Sequence, residues 1–380
     1  MLKAKFVVLF LFTLAAFFGK HAHAQANVPM VIQETYIEAT VTEIISTYTN
    51  SNYGAEHTFQ KLILLPSNNI AGNAIEVDTG ALPTNNVTLY ELGEKLILLE
   101  QQYEDGTKNY TIADYSRKLP LTYLFILFAV VIIIITKKTA IGALVGMAYS
   151  FLIIFEYLLP QILNGKNPLF VAIMAATLIS PVTFYLSHGI NKKTTIAWIS
   201  TIVALGLTGI LATVFMKLAY LKGFGSEEAY VLQLAKAGTL DMRGLLLAGI
   251  IIGTLGILDD VTISQAAIVA QLKKANESLK FKELYKMAME VGHDHIASTV
   301  NTLVLVYTGA ALPLLLLFVN SNQPLSFLIN YEVIAEELVR TLVGSIGLVT
   351  AVPITTILAA KLISTKDIEG TVPKHHHHHH

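Results

Sequence analysis

The chain has 380 residues, 53% hydrophobic and only 14% charged, with a formal net charge of −1. Soluble domains carry ~25% charged residues, so an ordinary soluble protein, a disordered chain and a coiled coil are excluded, and nothing points to nucleic acid as a partner. The absence of cysteine removes disulfides, zinc–thiolate sites, iron–sulfur clusters and thiol chemistry.

Lys3 and Lys5 precede an apolar run from Phe6 to Phe18. That run is too short to cross a hydrocarbon core of ~30 Å comfortably. Ala22-His23-Ala24 follows, a small-x-small site. The layout is that of a signal peptide over residues 1–24, cleaved after Ala24, with an uncleaved anchor as the alternative. Either form delivers the next segment outside the cytoplasm. At the other terminus, His375 to His380 form an expression tag.

Residues 25–118 are polar enough to form a small exported domain. Tyr36 to Ile44 alternates, with Ile37, Ala39 and Val41 on one face, which is the period of a half-buried strand. Four more strands are expected at His57 to Leu65, Asn73 to Val77, Glu94 to Gln102 and Lys108 to Asp114. Turn signals at Pro66 to Asn69, Asp78 to Gly80 and Asp105-Gly106 separate them. A five-stranded barrel-like domain is the expectation. It carries no catalytic or metal-binding spacing, so a binding, gating or oligomerising role fits it better than an enzymatic one.

Seven apolar segments follow between residues 119 and 364, at about 119–136, 140–160, 168–188, 195–221, 243–262, 294–319 and 338–361. Most are long enough to cross a bilayer. The fold class expected is therefore a mostly α membrane protein, a seven-helix bundle behind an exported all-β barrel. If the barrel is outside, the first helix runs inward, and Lys137, Lys138, Lys192, Lys193, Lys273, Lys274, Lys280, Lys282, Lys286, Lys361 and Lys366 fall on the inner side. The outer side keeps Lys166, Lys222, Lys236 and Arg243. That asymmetry satisfies the positive-inside rule and puts the carboxyl terminus in the cytoplasm of a bacterial cell. Residues 226–240 show helical spacing on the outer side. Residues 270–291 read as an amphipathic helix on the cytoplasmic leaflet, or as a solvated charged helix, with Phe281, Leu284, Tyr285 and Ala288 on one face.

Charges inside apolar segments are costly and mark candidate sites. Glu156, Lys217, Arg340 and His188 lie near helix ends, where they can reach the interface. Asp259 and Asp260 instead follow a long apolar stretch in which Gly249, Gly253 and Gly256 form a small packing face. Asp259 shares a helix face with Thr262, and Asp260 with Ser264. Two adjacent carboxylates of this kind suit a proton or cation relay; the plainer alternative is a helix end in water. Asp294 and His295 open the next segment, and Ser298, Thr299, Asn301 and Thr302 extend a polar stripe expected to face the bundle interior, a wet path or a neighbouring helix. His293 and His295 are two apart, a poor helical spacing for a metal, so neither a metal nor another cofactor is expected.

Gly256-Ile-Leu-Asp-Asp-Val-Thr-Ile-Ser-Gln-Ala-Ala267, Gly292-His-Asp-His-Ile-Ala-Ser-Thr-Val-Asn-Thr-Leu303 and Tyr307-Thr-Gly-Ala-Ala-Leu-Pro313 resemble the bacterial YibE/F-like family of multipass membrane proteins. The resemblance covers nearly the whole mature chain and implies little about function. A weaker likeness links segments three to seven to one half of a resistance–nodulation–division permease, the architecture of the SecD/SecF export proteins. It implies that Asp259 and Asp260 handle protons, and that a partner cation from a second half would come from another subunit. The expected function is transport, coupled to protons or cations through those two aspartates, in a homo-oligomer with an unknown substrate. The alternative is a scaffold or sensor whose exported domain binds a partner. An intramembrane enzyme using Asp259, Asp260, Asp294 and His295 ranks last.

Overall fold

A computed structural model describes residues 31–50, 57–67, 74–80, 88–103, 106–236, 238–321 and 323–363. The expected signal segment, the tag and Lys366 lie outside the described residues. The chain divides into two units, residues 1–131 and 132–380.

The first unit contains an antiparallel sheet of β1 (Val31–Asn50), β2 (His57–Pro66), β3 (Ile75–Asp78), β4 (Lys95–Tyr103) and β5 (Lys108–Tyr115), ordered β3-β2-β1-β4-β5. All five strands arise close to their expected positions. β1 is much longer than Tyr36 to Ile44. Its first half pairs with β4, from Val31 opposite Tyr103 to Thr40 opposite Lys95. Its second half pairs with β2, out to Asn50 opposite His57. Register shifts at Val41/Glu43 and Ile44/Ser46 bend the strand where it changes partners. Ala39, Val41, Leu62, Leu64, Val77, Leu96 and Leu98 form the core of one sheet face. Gln60 is buried too, and its side chain donates to the Tyr90 carbonyl at 3.2 Å and accepts from the Tyr90 amide at 2.7 Å. Beyond the sheet, α1 (Lys118–Thr136) is apolar from Leu124 to Ile135 and has no buried residue.

The second unit is helical. α2 (Lys138–Ile153) passes through a π turn (Ile154–Leu158) into α3 (Leu159–Leu163). α4 (Pro168–His188), α5 (Lys192–Leu218), α6 (Glu227–Ala235), α7 (Met242–Ala275), α8 (Phe281–Ala310), α9 (Leu312–Asn320), α10 (Leu325–Leu328) and α11 (Glu332–Leu362) follow. Side-chain caps start four of these where short polar residues precede an apolar run: Asn167, Asn191, Ser226 and Asp241 each accept from a first-turn amide. Across the described residues six helices are long and apolar enough to span a bilayer, or up to seven if the bent α8–α9 pair is one span. The expected segment 294–319 is thus broken, with a 65° bend between Ala310 and Leu312. Pro313 cannot supply an amide to continue α8 and falls in the first turn of α9 instead.

The expected separate helix at 270–291 is replaced by other boundaries. α7 runs through its two aspartates to Ala275, and α8 starts at Phe281 and continues into the apolar segment. The face predicted from Leu284 and Ala288 packs on Ile196, Val269 and Ala359. Packing against the bundle, in preference to a leaflet, buries these two side chains.

α7 is the central helix, in contact with α4, α5, α8 and α11. Its apolar side meets Ala175, Ile179, Ala204, Leu348 and Val352 through Ala248, Ile251, Leu255, Leu258 and Val261. Glycine sets the close approaches. A Cβ at Gly142 of α2 would overlap the Leu186 carbonyl of α4, and one turn along Gly146 lies against Thr183. At the Met242 end, Glu332 accepts from the amides of Lys222 at 2.5 Å and Gly223 at 3.0 Å, and Glu336 accepts from Gly225 at 3.0 Å. Gly223 has φ +88°, and a Cβ there would strike the Met242 carbonyl. Two carboxylates from the start of α11 thereby hold the loop that leaves α5.

Candidate functional site

The unbroken helix through Asp259 and Asp260 settles where these residues stand. Asp259 is 17 residues from the start of α7, or ~25 Å at 1.5 Å per residue. Its neighbour across the packing seam is Thr183 of α4, whose hydroxyl is 3.5 Å from Oδ2. Thr183 is five residues from His188, at the end of α4, so Asp259 lies ~8 Å inside that end of the bundle. Gly146 allows α2 to press on Thr183, which fixes that side of the pocket. On the other side, Thr201 of α5 also interacts with Asp259.

Thr201 and Thr262 are fully buried and their hydroxyls are 2.8 Å apart. Thr262 also lies 3.2 Å from the Asp259 carbonyl. The expected sharing of a face by Asp259 and Thr262 holds, and α4 and α5 add two hydroxyls to it. Oδ1 of Asp259 is shielded from solvent and has no hydrogen-bond partner among the described residues. Lower on α7, Gln265 donates to Thr356 at 2.8 Å and to the Ala288 carbonyl at 3.0 Å. Its Oε1 is likewise buried without a partner among the described residues.

Asp260 points the other way and is exposed, as is Ser264 on the same face. It lies within electrostatic reach of His188 and His295. His188, expected to serve only as an interfacial side chain, therefore belongs beside the aspartate pair. His295 is half-buried, whereas His293 and Asp294 are exposed. The polar stripe of α8 differs from its first expected setting: Ser298, Asn301 and Thr302 are exposed on the chain, not turned into the bundle. The opposite side of α8 carries Ile296, Val300 and Leu303, and that apolar side takes the core position. Arg340 forms an ion pair of 2.6 Å with Glu337, one turn away, near Tyr307.

The structure thus keeps Asp259 with Thr262 inside the bundle, and places Asp260 near His295 on an exposed side that also carries Ser264 and Asp294. Sequence reasoning missed Thr183 and Thr201. Each lies among other hydroxyls of its own helix, Thr177, Ser180 and Ser187 on α4 and Thr194, Thr195, Ser200 and Thr208 on α5, so the sequence did not single it out. No group of three or more His, Asp or Glu side chains placed to hold a metal occurs among the described residues. The donors around Asp259 are oxygens alone, a set suited to a proton or a hard cation.

Several apolar spans and a charged group at depth in their bundle define a multi-pass helical membrane protein. Residues 124–365 match the model of the YibE/F-like protein family, and the chain belongs to that family. No curated protein and no solved structure matches it. The likeness to half of a resistance–nodulation–division permease accordingly stands on the sequence pattern alone.

Proposed function

We propose that the chain is a transport-type membrane protein in which Asp259 and Asp260 couple movement of a proton or cation to that of a substrate. The observation that carries this reading is Oδ1 of Asp259, shielded inside the bundle and without a partner among the described residues. A desolvated carboxylate beside a second acid and two hydroxyls, with no cation paired to it among the described residues, is costly unless a proton or cation neutralises it. A group that takes up and releases such a charge, between the buried hydroxyl side and the open Asp260 side, has the chemistry of a relay. His188 and His295 supply exchangeable protons at the open side. The lysine asymmetry supports an exported sheet domain and a cytoplasmic carboxyl terminus in a bacterial membrane. The bent, partner-switching β1 supports closure of that sheet toward a barrel.

The test uses full-length protein in liposomes under an imposed pH or sodium gradient. Proton flux is read with an entrapped pH dye and cation flux as sodium-22 uptake. Asp259→Asn is expected to reduce the flux at least tenfold, and Asp260→Asn to change its pH dependence. Flux unchanged in both variants overturns the reading. A second reading, a scaffold or sensor, is favoured by the exposure of Tyr36 and Leu92 in the exported domain. It requires that deleting residues 25–118 abolish function while the bundle remains folded.

A further inference from the structure

The central helix leaves only one line of its membrane-crossing length uncovered. Gly249, Gly253, Gly256, Asp260 and Ser264 are exposed, spaced by four, three, four and four residues. That spacing keeps them on one face. The line runs from ~10 Å to ~33 Å along α7, the depth of the hydrocarbon core. A Cβ at Gly249 or Gly256 would meet nothing within 4 Å, and one at Gly253 would meet only the Tyr307 hydroxyl, at 3.8 Å. Beside it, α8 exposes Asp294, Ser298, Asn301 and Thr302. Tyr307 next to Gly253, and His295 next to Asp260, tie the two faces into one surface.

Lipid chains cannot satisfy such a surface. They offer no partner to Asn301 or to the two carboxylates, and polar side chains in a bilayer turn to protein or water. Open glycines in a row are the means by which two membrane helices bring their backbones close.

We propose that this α7–α8 face is the contact between two copies of the chain, related by a two-fold axis along the membrane normal. The charge pattern selects a second copy over another partner. Asp260 lies within electrostatic reach of His188 and His295 near one end of the bundle, and Asp294 and His293 adjoin His295 on α8. An axis along the normal returns every residue to its own depth. The acids of one copy then come level with the imidazole donors of the other. Serine, threonine and asparagine side chains on α8 provide further bonds across the seam, and the glycines of α7 set its close approach.

The chain has no cysteine, so single cysteines report the contact directly. With full-length protein in native membranes and a copper–phenanthroline oxidant, Gly256→Cys and Ser264→Cys are expected to give a cross-linked dimer. Ile210→Cys, equally exposed to the membrane but on α5, is expected to give none. Gly249→Leu and Gly256→Leu then separate assembly from folding. Each enters open space in the single chain, so helicity and melting temperature should hold while dimer dissociation in nanodiscs weakens at least tenfold. The proposal is overturned if the cysteines on the line cross-link no better than Ile210→Cys. It is equally overturned if both folded leucine variants stay dimeric, or if the unsubstituted chain is monomeric in nanodiscs, which would assign the face to lipid or to another protein. None of these readouts depends on transport.

Discussion

Two glutamines show how differently the two units treat a buried polar group. Gln60 in the sheet is 5% exposed and Gln265 in the bundle is 1% exposed. Gln60 closes a two-bond ring with the Tyr90 backbone, so both ends of its amide are used. Gln265 uses its NH₂ group twice and leaves its oxygen without a partner among the described residues, six residues from Asp259, which does the same with Oδ1. Unused buried acceptors cost stability, and a fold keeps them where another requirement outweighs that cost. The sheet thus uses both ends of its buried amide as fastenings, whereas the bundle leaves some buried acceptors without a partner among the described residues.

The comparison is sharpened most by removing a fastening. Gln60→Leu strips partners from the half-buried amide and carbonyl of Tyr90, and should cost about 2 kcal/mol. Hydrogen–deuterium exchange over residues 57–66 of the full chain reads the loss. Asp259→Asn should behave in the opposite sense. It removes a desolvated charge while keeping the shape, so thermal stability in detergent should hold or rise by up to about 1 kcal/mol. A loss as large as that of Gln60→Leu would make Asp259 a structural anchor and dissolve the contrast.

The smallest expected effect concerns pH. Tyr48 donates to Asp78 at 2.5 Å, and that bond, more than burial, pushes the Tyr48 hydroxyl up from 10.0 to about 12. A raised folded value means the folded state holds its proton longer than the unfolded state. The contribution is complete below pH 10 and is lost as pH rises toward about 12. Tyr48→Phe should flatten that alkaline decline in exchange protection of β2. An unchanged slope would remove Tyr48 from the set of fastenings. Glu100 adds an acid-side counterpart: its bond with Lys108 holds its carboxyl below the usual value, so that contribution fades as pH falls through the lowered value.

Much of this architecture follows from local pattern. Alternation located the first strand, turn signals separated the other four, and hydropathy located the spans, because burial on one face or in lipid acts over many consecutive residues. The two aspartates stood out for the same reason, as charges in an apolar run. The ends of helices were harder. The segment expected over 294–319 is broken before Pro313, and α7 passes through the end expected at residue 262 to finish at Ala275, with Lys273 and Lys274 in its last turn. Lysine is a good helix former, and a helix can leave the membrane without stopping.

Composition, periodicity and charge placement determined that this is a multi-pass membrane protein with a β domain before its spans and a pair of acids on its fifth apolar segment. The family membership was legible there too. Only the tertiary structure decided that one aspartate faces inward and the other outward, and that His188 joins them. Thr183 is 76 positions from Asp259, and Thr201 is 61 from Thr262. Neighbours so distant in sequence are set by which helix face packs against which, and glycines such as Gly146 decide that by how closely two backbones can approach.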